Sequence, residues 1–137
     1  MRIIAIDYGR KRIGLAVSDE TATIASGIGV IDRNRENEPL KVIAEHIGSY
    51  GVEKVIIGYP LRQNGERGEL ADEVDRFAAE LELLGKISVQ KVDEAFTSEM
   101  AAETLSRQGM RKKKHRRHID RVAACHILQS YLDGKST

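Results

Sequence analysis

Residues 54–58 carry Val55-Ile56-Ile57, a run too short for a helix and apolar on both faces. A strand covered by a layer on each side, as in a parallel sheet, buries such a run without leaving a face in water. Ile3-Ile4-Ala5-Ile6 has the same character. The spacing therefore predicts residues 2–7 and 54–58 as the first and fourth strands and as the central strands of a sheet. Residues 12–19 differ: Ile13, Leu15 and Val17 take one face, while Gly14, Ala16 and Ser18 leave the other more polar. Tyr8-Gly9-Arg10-Lys11 joins the first two strands as a hairpin, and Ile28 and Val30 alternate in a third strand over 27–31.

The period then changes. Leu40, Ile43, Ala44 and Ile47 fall at helical spacing, with Gly48 and Gly51 marking the stop, and Leu70, Val74, Phe77, Ala78, Leu81 and Leu84 define a second helix ended by Gly85. A fifth strand is predicted over 87–92. A helix capped by Thr97 or Ser98 follows to Gln108, stopped by Gly109, and a last helix spans 119–132. The order β-β-β-α-β-α-β-α-α makes an α/β fold. Its five-stranded mixed sheet has three antiparallel strands, then two parallel ones, flanked by helices. With 137 residues and about 100 to 200 residues per domain, residues 1–137 are expected to form a single domain.

Composition narrows the setting. Hydrophobic residues make up 41% of the chain and the net charge is +1, a globular balance rather than a disordered one. The single cysteine, Cys125, excludes an intramolecular disulfide framework and fits a reducing compartment. The first apolar run meets Asp7 too soon for a signal peptide, and no run reaches the length of a membrane span. A cytoplasmic protein without membrane contact is the expectation.

The charge is unevenly placed. Arg111-Lys112-Lys113-Lys114-His115-Arg116-Arg117 holds six formal positive charges, leaving 16 basic against 21 acidic residues elsewhere. Such a block repels itself, which predicts a loop between ordered elements, disordered until a polyanion binds. With no Trp and two Phe, the chain lacks a stacking platform for single-stranded bases, so phosphate contact is the expected mode.

Acids complete the pattern: Asp7 ends the first strand, Asp93-Glu94 the fifth, and Asp120 opens the last helix. Ligands of open α/β sheets bind beyond the carboxyl ends of the strands. Carboxylates grouped there repel one another unless a cation joins them, and oxygen donors suit Mg²⁺ or Mn²⁺. Two such ions activate a water and stabilise the leaving oxygen of a phosphodiester, the chemistry a nearby basic segment would serve. The spacing alone does not choose between Asp93 and Glu94. His115 and His118 lack a third ligand for zinc, His126 reads as a partly buried helix residue, and Cys125 as a small core residue.

Four blocks carry a wider likeness: residues 7–19 (Asp-Tyr-Gly-Arg-Lys-Arg-Ile-Gly-Leu-Ala-Val-Ser-Asp), Ile57-Gly58-Tyr59-Pro60-Leu61 with Gly65, Asp93-Glu94, and residues 120–129 (Asp-Arg-Val-Ala-Ala-Cys-His-Ile-Leu-Gln). In order and across nearly the whole chain they resemble the YqgF family of ribonuclease H-like proteins, similar to Holliday junction resolvases and associated with maturation of the 5′ end of pre-16S rRNA. The resemblance implies a ribonuclease H-like fold and a metal-dependent nuclease. It marks Asp7, Glu94 and Asp120 as catalytic metal ligands for Mg²⁺ or Mn²⁺, and the 58–65 loop, with Arg62, as a wall of the substrate groove. Lys11, Arg12, Arg62, Arg111, Lys112, Lys113, Lys114, Arg116 and Arg117 are the candidate substrate contacts. The family commonly has an arginine after the Asp-Glu pair, where this chain has Ala95-Phe96; Lys11, Arg12 or the basic run would replace that contact.

Pre-16S rRNA is the first expected nucleic-acid substrate and branched DNA the second. A non-catalytic RNA-binding assembly factor is the alternative outside the enzyme class. Asp7-x-Gly9 also resembles the first phosphate loop of two-lobed ATPases, but 137 residues supply a single lobe.

The charge block yields a test. Replacing Lys112, Lys113 and Lys114 with Ala should flatten the log–log dependence of RNA affinity on salt by about 2 to 3 units, at about 0.7 to 0.9 per phosphate contact. Filter binding across a salt series reads the slope; a triple variant matching wild type in slope and affinity would make the run only a solvated segment.

Overall fold

The computed structural model describes residues 1–59, 68–93 and 112–135, the side chains of 112–122 and 135 excepted. Five strands, β1 (Arg2–Asp7), β2 (Arg12–Ser18), β3 (Ala25–Asp32), β4 (Val52–Tyr59) and β5 (Val89–Asp93), form one sheet in the order β3-β2-β1-β4-β5. The first three pair antiparallel, while β4 runs parallel to β1 and β5 parallel to β4. The mixed sheet is as expected, with β1 at its centre and β4 internal.

Alternation sorts the strand residues between two cores. Ile4, Ile6, Tyr8, Ile13, Leu15, Val55 and Ile57 pack with α1 (Pro39–Tyr50) and α2 (Glu69–Gly85) on one face. Ile3, Ala5, Ala16 and Ile56 pack on the other with Ala124, Ile127, Leu128 and Leu132 of α3 (Lys112–Lys135). Each fully buried isoleucine contributes about 1.5 to 3 kcal/mol, which makes the doubly covered β1 and β4 the strongest elements of the sheet. β2 departs from the expected polar face, since it is buried on both sides from Ile13 to Ser18. Gly14 and Ala16 are small enough for a helix to lie close over them. Ser18, 2% exposed, is satisfied locally: its Oγ accepts the Ile3 N–H at 2.9 Å and donates to the Asp19 carbonyl at 3.1 Å.

Local chemistry sets the ends. Pro39 enters the first turn of α1, where its missing N–H costs nothing, and Gly51 closes that helix at φ 65°, leaving Gly48 inside it. Glu69 and Asp72 meet the positive end of the α2 dipole. At the β2–β3 turn the Asp19 carboxylate accepts the N–H groups of Thr23 (2.8 Å) and Ile24 (3.0 Å), and these bonds, with that of the Thr21 hydroxyl, hold its carboxyl down at about 2.

The basic run is where the fold corrects the sequence reading. Residues Lys112 to Arg117 lie in helix α3, not in a loop awaiting nucleic acid. Straight-chain Lys and Arg are good helix formers, and salt screens their repulsion over about 8 Å, so a dense block does not by itself exclude a helix. Arg111 and the helix expected up to Gln108 lie outside the described residues.

Candidate active site

β1, β4 and β5 are parallel and therefore end on one edge of the sheet. Asp7 closes β1 there and Asp93 closes β5, with Tyr59 of β4 paired to Asp93. Two strand spacings separate β1 from β5, about 10 Å. Side-chain phase separates the two acids further. Asp7 follows Ile3 and Ala5 and so takes the α3 face, where Val92 also packs. Asp93 takes the opposite face, in phase with Val89, which packs against the α1–α2 core.

The direction of α3 brings a further acid toward this edge. Near its C-terminal end, Gln129 accepts the Ala25 N–H at 3.0 Å and donates to the Thr23 carbonyl at 2.8 Å. Tyr131 meets the Lys54 ammonium at 2.7 Å and Gln90 at 3.2 Å. These partners stand at the amino ends of β3, β4 and β5. The helix therefore runs antiparallel to β1, and position 120 lies about 16 Å back along its axis from Tyr131, toward the edge where Asp7 ends its strand.

The turn after Asp7 is held from three directions. Its Tyr8 ring packs edge-on against Phe77 of α2 at 5.0 Å, and the hydroxyl donates to Glu73 Oε1 at 3.3 Å. Arg10 closes a fork on Glu73 Oε2, with Nε at 2.8 Å and Nη2 at 2.7 Å. Hydrogen bonding to Arg10 lowers the Glu73 carboxyl below its ordinary range, and the same bond raises the arginine. From the β3 side, Arg33 donates from Nη1 to the Gly9 carbonyl at 3.0 Å and lays its guanidinium 5.1 Å from the Tyr8 ring centre. Gly9 itself passes so close to the next strand that an added Cβ would sit 2.3 Å from the Arg12 carbonyl oxygen.

Other candidates are distributed unevenly. Lys11 is exposed in the turn and Arg12 is half-buried at the start of β2, both at the Asp7 edge. Lys112, Lys113, Lys114, Arg116, Arg117 and Asp120 are on α3, described in backbone only; Arg62, Glu94 and Arg111 lie outside the described residues. Among the described residues no three His, Cys, Asp or Glu side chains gather at one point. His126 lines a hollow of about 230 Å³ with Ala25, Cys125 and Gln129. Ala25 pairs with Ser18, at the other end of the sheet from Asp7. Cys125 packs against the α3-side core, as expected. Glu73 and Arg33 escaped the sequence reading because each stands among other charged residues, and only the fold reveals that both converge on one turn.

Residues 1–134 match the family model described as "RuvX: Holliday junction resolvase". The chain belongs to the RuvX family. This is the YqgF family to which the sequence blocks pointed, and the chain is accordingly a nuclease. Relatives of the chain include proteins named "Putative pre-16S rRNA nuclease" from Syntrophus aciditrophicus, 44% identical over 99% of this chain and 91% of that one, and from Natranaerobius thermophilus, 40% identical over 97% and 94%. Two solved structures share the fold at low identity. Thermus thermophilus RuvC in complex with a Holliday junction substrate has a TM-score of 0.59 and 16% identity, covering 99% of this chain and 96% of that one. The fowlpox virus resolvase with Holliday junction DNA has 0.59 and 15%, with full coverage of both. They identify the sheet as ribonuclease H-like in fold.

The close approach at Gly9 predicts that Gly9→Ala costs about 1 to 3 kcal/mol, the usual range for forced overpacking. Urea unfolding measures it; wild-type stability would mean that the turn is looser than described.

Proposed function

We propose that this chain is a divalent-metal-dependent nuclease of structured nucleic acid, acting in the cytoplasm as one domain over residues 1–137 in maturation of the 5′ end of pre-16S rRNA. The observation that carries the reading is the convergence of Asp7, the end of β5 and the N-terminal half of α3 on one edge of a ribonuclease H-like sheet. The names borne by relatives along nearly the whole chain support the RNA substrate.

Asp7, Glu94 and Asp120 are the proposed metal ligands and catalytic acids. Asp7 fits a hard cation: it is a half-buried oxygen donor fixed at the end of a rigid strand, on the face that α3 covers. Glu94 is preferred over Asp93 because the family resemblance marks it and because Asp93 carries the phase opposite to Asp7. Position 120 stands one helical turn before buried Ala124. When bound there, Mg²⁺ or Mn²⁺ supplies an activated water and charge stabilisation at the leaving oxygen. The chain's own cations would hold and orient the phosphates: Lys11 from the β1–β2 turn, Arg12 from the start of β2, Arg62 and Arg111, which lie outside the described residues, and Lys112, Lys113, Lys114, Arg116 and Arg117 of α3. A helical run of this kind presents charge at fixed spacing, which suits the regular phosphates of a duplex.

Branched DNA is the second reading, favoured by the resolvase description of the family model. Cleavage of a precursor rRNA fragment and a four-way junction, tested side by side with Mg²⁺ and Mn²⁺, separates the two. Asp7→Asn keeps the volume and removes the charge. It should abolish cleavage, with circular dichroism and melting temperature at or above wild type. Wild-type activity in that variant would remove Asp7 from the site and favour the non-catalytic assembly factor.

A further inference from the structure

Glu73 belongs to none of the four sequence blocks and lies on the face of the sheet opposite Asp7, yet it is joined to the two residues that most constrain the chain beyond that acid. Successive residues of an extended chain point to opposite faces, so the rotation of Asp7 about the strand axis is coupled to that of Tyr8. Tyr8 is 9% exposed, wedged against Phe77, and its hydroxyl ends on Glu73. The other Glu73 oxygen holds the Arg10 guanidinium by two nitrogens, a geometry that fixes orientation as well as distance. Arg33 pins the intervening Gly9 carbonyl from the far side. Asp7 is thus the last residue of a rigid strand and the first of a turn clamped to α2, leaving its backbone little freedom.

We propose that Glu73 is a positioning residue: by clamping Tyr8 and Arg10 to α2 it fixes the direction in which Asp7 presents its carboxylate to a divalent cation. This rests on the assignment of Asp7 as a ligand. A carboxylate held in one direction binds a cation without first being ordered, and groups that orient a metal ligand change affinity by about 10- to 100-fold when removed. Because Glu73 acts through the backbone rather than on the ligand itself, the low end of that range applies.

The test is Mn²⁺ binding to the full chain without nucleic acid, read by calorimetry and by the loss of the free-ion paramagnetic resonance signal, for wild type, Glu73→Gln, Arg10→Gln and the swap Arg10→Glu with Glu73→Arg. Glu73→Gln and Arg10→Gln should each weaken Mn²⁺ about tenfold at temperatures where circular dichroism shows a folded protein, and the swap should recover part of the loss. Arg10 is more than half exposed, so Arg10→Gln reads the clamp even if Glu73→Gln does not fold. Asp7→Asn is the reference. Loss of Mn²⁺ binding in Asp7→Asn with wild-type affinity in both clamp variants overturns the positioning role alone. Wild-type Mn²⁺ affinity in Asp7→Asn overturns the ligand assignment beneath it. A lowered melting temperature with unchanged Mn²⁺ affinity makes Glu73 structural and overturns the proposal.

Discussion

The parallel pairing of β1 with β4, each strand buried on both faces, is the constraint on which the rest depends. A central strand without a polar face cannot slip by one residue without exchanging its two apolar sets between different cores. The register that seats Ile4 and Ile6 against α1 and α2, and Ile3 and Ala5 against α3, therefore also decides where the next two residues go. Asp7 emerges on the α3 side and Tyr8 on the α2 side. Hydrophobic burial, with no directional preference of its own, thereby fixes the position of a carboxylate.

Much of this was legible in the sequence. Val55-Ile56-Ile57 and Ile3-Ile4-Ala5-Ile6 announced the central strands because such runs have few other solutions, and Leu70, Val74, Phe77 and Leu81 announced α2 by period alone. Two readings failed for physical reasons. Gly14, Ala16 and Ser18 looked like a partly polar face, but small residues also serve as the floor for a closely packed helix, and alternation does not distinguish these uses. Lys112 to Arg117 looked like a loop because like charges repel, yet the same side chains have high helix propensity and their repulsion is screened. The acids were visible as types at strand and helix ends, but that Asp93 faces away from Asp7 needed the phase of β5. The Tyr8–Arg10–Glu73–Arg33 network was not visible, since its members are up to 65 residues apart and no local period links them.

The two flanks of the Asp7 edge differ in character. On the α2 side, cations are matched with acids: Arg10 with Glu73, and Lys91 with Asp75 at 2.6 Å, where Asp75 also accepts the Tyr59 hydroxyl at 3.2 Å. That flank is built for rigidity. On the α3 side the chain concentrates Lys112, Lys113, Lys114, Arg116 and Arg117 in a helix whose C-terminal end is anchored through Gln129 and Tyr131. Under the proposed function, the rigid flank would hold the metal-binding acid and the basic helix the phosphates.

The sheet edge at Asp7 is proposed to hold a divalent cation through carboxylates on the α3 face. Crystals soaked in Mn²⁺ and measured by anomalous diffraction test it most directly. Anomalous density is expected within coordination distance of Asp7, with Glu94 and Asp120 as the other protein ligands and Asp93 turned away. Density bound through Asp93 on the α2 face, or an edge without ordered Mn²⁺ at a saturating concentration, would contradict it.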